Sequence, residues 1–95
     1  MRIIVEFLGF PIVTDVIGKK KLELVATGET VKDVINELIT RYGEKVRDAF
    51  YDVQGNFDPM IQISLNGKSF IPVDKHDTPL KDGDSIVFMI LFAGG

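Results

Sequence analysis

Ninety-five residues leave room for one hydrophobic core, and a net charge of −3 with a pI near 5.0 argues against nucleic acid as a main partner, because phosphate binding needs a net basic surface. There is no cysteine, which excludes disulfides, thiolate metal sites, cysteine nucleophiles and persulfide carriers. Hydrophobic residues at 45% with 26% charged are too apolar for a disordered chain.

The first strand is predicted over Arg2 to Leu8, with Ile3, Val5 and Phe7 on one parity, ended by Gly9-Phe10-Pro11. Glu6 breaks the opening apolar run, so no signal-peptide core is expected. Phe10 to Lys20 is expected as a long connection, and Lys21 to Ala26 as a second strand antiparallel to the first, with Leu22 and Leu24 facing one way. Thr30 is a good N-cap, and Asp33 three residues on makes a weak capping box. Val31, Val34, Ile35, Leu38, Ile39 and Tyr42 then repeat at helical spacing, so a helix is predicted over Val31 to Tyr42, with Gly43 as its terminator.

Val46, Ala49 and Phe50 predict a shorter helix over Glu44 to Tyr51, followed by a loop from Asp52 to Pro59. Met60 to Asn66 alternates as a strand, Asn66-Gly67 signals a tight turn, and Lys68 to Ile71 returns. Asp74 to Asp84 is polar, with turn chemistry at Thr78-Pro79 and Asp82-Gly83. The last strand is predicted from Ser85 to about Phe92. Both of its parities are apolar: Ile86, Phe88, Ile90, Phe92 and Val87, Met89, Leu91. The longest apolar run, Ile86 to Ala93, is eight residues, against roughly 20 for a membrane span, so a cytoplasmic protein with no membrane partner is expected.

This order implies an α+β domain over residues 1–95: a mixed sheet of four to five strands with one main helix on one face. The first and last strands are the most apolar and are expected to be central and adjacent. The second face of the sheet is then partly uncovered. Parity alone leaves open which set of the last strand points out; with Val87, Met89 and Leu91 outward, they and Ile4 and Leu8 beside them form a candidate docking patch on it.

Other chemistry is thin. Ser64, Ser69 and Ser85 have no histidine at a useful spacing. His76 is the only histidine and is expected in a solvated loop; one histidine does not supply the three or four ligands of a metal site. No glycine-rich phosphate loop follows a strand, so no bound ATP is expected. Lys19-Lys20-Lys21, Lys68 and Lys81 are expected as solvated surface that could meet acidic groups of a partner.

The segment Thr78-Pro79-Leu80-Lys81-Asp82-Gly83-Asp84-Ser85-Ile86, then one strand and Gly94-Gly95, resembles the MoaD/ThiS family of β-grasp (ubiquitin-like) sulfur carriers; Leu65-Asn66-Gly67-Lys68 adds to the likeness. The resemblance implies a β-grasp fold with Ile86, Phe88 and Ile90 in the core and a flexible Gly94-Gly95 tail. It implies a carrier that is no enzyme, whose reactive group is the Gly95 carboxylate. A ubiquitin-activating-type adenylating enzyme would use ATP to form an acyl-adenylate there, and a sulfur donor would convert it to a thiocarboxylate. Leu91-Phe92-Ala93 stands where such carriers often have a proline-rich step. The Gly43–Pro59 segment is longer than in the thiamine carriers, which favours the molybdopterin-type branch or a modifier-like relative; the first choice is the branch resembling the small subunit of molybdopterin synthase, partnered by that enzyme's larger catalytic subunit. Val87, Met89, Leu91, Phe92 and Ala93 would dock the partner, with no metal and no resident cofactor. Three alternatives stand beside this: a ubiquitin-like modifier joined to lysines through Gly95, a thiamine or tRNA-thiolation carrier, and a plain interaction module.

Overall fold

The computed structural model describes residues 1–90. Its elements in chain order are β1 (Arg2–Leu8), α1 (Pro11–Ile17), β2 (Lys21–Val25), α2 (Val31–Tyr42), α3 (Glu44–Phe50), β3 (Ile61–Leu65), β4 (Ser69–Ile71) and β5 (Ser85–Ile90). The strands form one five-stranded mixed sheet in the order β2-β1-β5-β3-β4. Only β1 and β5 run parallel, and they are adjacent near the middle, as their apolar sequences required.

Alternation decides which way each strand faces. Ile3, Val5 and Phe7 of β1 are buried, as are Leu22 and Leu24 of β2, Ile61 and Ile63 of β3, and Ile86 and Phe88 of β5. They meet Val31, Val34, Ile35 and Leu38 of α2 in one cluster. Four phenylalanines tie the layers together. Phe88 stacks on Phe7 with centroids 5.7 Å apart and meets Phe50 of α3 edge-on at 5.1 Å. Phe10 touches Phe50 at 5.5 Å and Phe7 at 6.3 Å. Such aromatic contacts each add about 0.5–1.5 kcal/mol beyond their buried area.

The connection from Phe10 to Lys20 differs from expectation, because it contains α1. Its sequence, rich in β-branched residues, is a poor helix former on its own. Pro11 presets φ at the first turn, Gly18 closes the helix in the left-handed conformation, and burial of Val13 and Phe10 secures it. Tertiary packing therefore overrides propensity here. The first strand and the main helix span the expected residues, and β2, α3, β3 and β4 differ by a residue at their ends. Ala26, Tyr51, Met60, Asn66 and Lys68 fall just outside them, and Asn66 belongs to the β3–β4 turn. Leu91 and Phe92, expected at the end of the last strand, lie outside the described residues.

The capping box of α2 is complete. Thr30 Oγ1 accepts from the Asp33 N–H at 3.3 Å, and Asp33 Oδ2 accepts from the N–H groups of Thr30 at 3.0 Å and Glu29 at 2.9 Å. The Glu29 N–H, then the Thr30 hydroxyl and N–H, hold the Asp33 carboxyl below its usual range. Among the described residues no helix is long and apolar enough to cross a membrane.

Three stability outcomes follow. Phe50→Ala removes the ring that joins Phe10, Phe57 and Phe88 and should cost about 3–5 kcal/mol in urea unfolding; Thr30→Ala should cost about 1 kcal/mol. Asp33 and Asp84 both have lowered folded-state pKa values. Their contribution is therefore whole above the unfolded carboxyl pKa, about 3.9, and is lost as pH falls through the lower folded value. The double variant Asp33→Asn/Asp84→Asn should be less stable than the wild type at pH 7 and should lose less further stability between about pH 4 and pH 2.

Candidate functional site

The chain enters positions 91–95 from β5, so whatever seats β5 sets the site. Its first residues are clamped by two turns. Asp82 Oδ1 accepts from the Arg2 N–H at 2.6 Å, and the Gly83 N–H donates to Arg2 O at 2.7 Å. Asp84 Oδ1 accepts from Asn66 Nδ2 at 3.0 Å, and its Oδ2 from the Lys81 N–H at 2.8 Å. The Asn66 side-chain N–H, then the Lys81 amide, hold the Asp84 carboxyl low. Asn66 also accepts from the Ser85 N–H at 2.7 Å. Asn66 and Gly67 both have positive φ, as a type I′ turn requires, and this aims the Asn66 amide at β5. The Asp82-Gly83-Asp84 and Asn66-Gly67 motifs thus set the register of the strand.

The middle of β5 separates its two parities. Ile86 and Phe88 are fully buried, while Val87 and Met89 are half-buried on the opposite face. Strand register sets their neighbours. One row across the sheet reads Lys21, Glu6, Val87, Ser64, Phe70; the next reads Leu8, Met89, Gln62. Ile4, Leu8, Val87 and Met89 therefore share this face, with Glu6 between Ile4 and Leu8 and beside Val87, and Gln62 beside Met89. Leu8 and Phe70 are exposed, Phe70 by 65%. Ser64 is on this face but buried in the row between Val87 and Phe70. The α1 and α3 segments leave this strip uncovered, because Val13, Val46 and Phe50 join the core on the other face.

At its far end, β5 pairs Ile90 with Ile61 and passes beside Gly9. Gly9 has φ +64, and a Cβ there would lie 2.7 Å from the Ile90 carbonyl oxygen. Only glycine fits that backbone and that approach. A shallow groove of about 210 Å³ opens beside it, lined by Phe7, Gly9, Phe10, Pro11, Thr14 and Lys20. Gly9 had been visible only as a strand terminator, since its contact is with a residue eighty-one positions away.

The remaining candidates disperse. His76 is only partly exposed, correcting the solvated expectation. Its ring meets Phe57 edge-on at 4.4 Å, its Nε2 has no partner, and burial, then the Lys32 charge, push its pKa down. Ser64, Ser69 and Ser85 lie on three different strands. Among the described residues no group of three or more His, Cys, Asp or Glu could hold a metal. Lys68 and Lys81 sit at the end of the sheet where β5 begins. Leu91, Phe92, Ala93, Gly94 and Gly95, expected as docking and reactive positions, lie outside the described residues.

Residues 10–95 match the model of the ThiS family. No curated protein matches the chain significantly. Among solved structures, the small archaeal modifier protein 1 (SAMP1) of Methanosarcina acetivorans is similar with a TM-score of 0.77 and 24% identity, covering 99% of this chain and 96% of its own. Urm1 of Trypanosoma brucei gives 0.67 and 26%, covering 99% and 95%. A putative molybdopterin converting factor, subunit 1, of Pyrococcus furiosus gives 0.61 and 22%, covering 97% and 99%.

Gly9→Ala should displace the Ile90 carbonyl while leaving α2 intact. In a backbone amide NMR spectrum the changes should concentrate at Leu8–Phe10 and Met89–Ile90, and unfolding should occur at lower urea. A spectrum unchanged at Ile90 would mean that Gly9 does not hold the end of β5.

Proposed function

Because the chain belongs to the ThiS family, whose small ubiquitin-fold members act as sulfur carriers or modifiers and are generally non-catalytic, we propose that it is a sulfur carrier charged at the Gly95 carboxylate. The observation that carries this is the placement of Gly94-Gly95 four residues beyond a central strand whose start is clamped and whose outward face is apolar. A carboxylate with a pKa near 3.5 is ionised at neutral pH and is a poor electrophile. A partner adenylating enzyme supplies the ATP chemistry: a Gly95 oxygen attacks the α-phosphorus, pyrophosphate leaves, and an acyl-adenylate forms. A sulfur nucleophile then attacks the carbonyl carbon and AMP leaves, so that one carboxylate oxygen is replaced by sulfur after release from the donor. Two glycines let the backbone approach a partner's reactive atoms without a Cβ in the way.

Ile4, Leu8, Val87 and Met89 form the docking strip on this reading, and Leu91, Phe92 and Ala93 continue toward the tail. The chain binds no cofactor of its own. Its recipient is the larger catalytic subunit of molybdopterin synthase; the long Gly43–Pro59 segment argues against the thiamine branch, and the fold shared with the Pyrococcus protein is consistent with this recipient. A second reading, a modifier joined to lysines through Gly95, is favoured by the fuller superposition on the archaeal modifier protein.

Incubation with a cognate adenylating enzyme, ATP and a sulfide source should raise the intact mass by the difference between sulfur and oxygen, and deletion of Gly94-Gly95 should abolish the gain. An unchanged mass, with the enzyme active on a control carrier, would refute the carrier reading; lysine-linked adducts dependent on Gly95 would favour the modifier. Val87→Glu/Met89→Glu places charge on the strip and should cut charging at least tenfold while the thermal midpoint stays within a few degrees.

A further inference from the structure

Five of the eight lysines of this chain lie at the two ends of β5. Lys68 and Lys81 lie where the strand begins, at the turns that clamp it. Lys19, Lys20 and Lys21 lie where it ends. Antiparallel pairing brings Lys21 opposite Glu6, and parallel pairing puts Glu6 beside Val87. The Phe7 N–H donates to Lys20 O at 2.8 Å, and Lys20 lines the same groove as Gly9, whose α-carbon faces Ile90. Only β1 separates β2 from β5, so the run stands roughly 10 Å from the point where the chain passes into 91–95.

All three lysines are exposed, and none is in an ion pair among the described residues. The backbone of Lys20 serves the fold; the three side chains do not. Three adjacent like charges repel one another, yet they are concentrated here on a chain of net charge −3. Without them the remainder would carry −3 − 3, or −6. The run is therefore a local concentration of positive charge beside the end of β5, with Glu6 opposite Lys21. A local concentration of charge of this kind orients a protein as it approaches an oppositely charged surface and raises the rate of encounter.

From this placement we infer that Lys19-Lys20-Lys21 is a steering surface that docks on an acidic rim around the partner enzyme's entry for the Gly94-Gly95 tail. The inference rests on the carrier reading above. It adds a second contact to the apolar strip: the strip supplies buried area, and the lysines supply approach and orientation. Ten ångströms is about one Debye length at 0.1 M salt, so the effect is strong in dilute buffer and fades as salt is added.

The test compares three proteins with the adenylating enzyme that charges the wild type, reading pyrophosphate release against NaCl from about 0.05 to 0.5 M. The first is the wild type. The second is Lys19→Gln/Lys20→Gln/Lys21→Gln. The third, Lys68→Gln/Lys75→Gln/Lys81→Gln, makes the same change in net charge away from the tail root. The first triple variant should lose roughly tenfold in kcat/KM at low salt, with kcat kept within about twofold, and should lose most of its salt dependence. The other triple variant should behave as the wild type. Equal losses in both variants would make net charge the cause, and no loss in either would leave the run without a role; both overturn the inference while the carrier reading stands. A wild type that is not charged at all refutes the carrier reading itself and this inference with it.

Discussion

The seating of Phe88 is the contact on which the rest depends. Its ring is fully buried between Phe7 of the parallel neighbour and Phe50 of α3. A β-strand has a strict period of two, so burying Phe88 and Ile86 turns Val87 and Met89 to the other face. A slip of one residue would put the outward pair into the core and the phenylalanine into solvent. The hydrogen bonds from Asp82, Gly83, Asp84 and Asn66 prevent that slip at the start of the strand. Gly9 leaves room for its end. Packing, turn chemistry and a close backbone approach thus converge on one register, and that register creates the apolar strip on the outward face of β5.

On the proposed carrier reading, this division of labour suits a protein whose chemistry occurs in another protein's active site. The helices and the inward face supply stability and leave the other face free. A strip that Glu6 interrupts and Gln62 borders can be covered by a partner without exposing a large apolar surface when alone. The residues that look most family-like act at one remove: they hold the strand from which the tail departs. Substituting them should therefore weaken function through misplacement of β5.

Much of this was legible in the sequence. Alternation in Arg2–Leu8 and Met60–Asn66, helical spacing from Val31 to Tyr42 and the Thr30–Asp33 cap are local signals, and they specify their elements to within a residue or so. The apolar character of both parities of β5 marked it as central, but parity could not say which set faced inward; Phe7 and Phe50, distant in sequence, decide that. The α1 helix was not legible, because Pro-Ile-Val-Thr-Asp-Val-Ile lacks helix propensity and is held by burial of Phe10 and Val13. Nor was the second function of Gly9, or the position of Lys19-Lys20-Lys21 beside the end of β5. Both are products of strand order, and strand order is a property of the folded chain.

Methyl NMR of the Ile, Leu, Val and Met side chains, recorded as a catalytically active adenylating enzyme is added, would locate the docking face. The resonances of Ile4, Leu8, Val87 and Met89 should shift or broaden together, while those of Ile39 and Val53 on the α2–α3 side stay in place. Changes at Ile39 and Val53 with the sheet strip unaffected would show that the partner docks on the opposite face and that the outward face of β5 is not the docking surface.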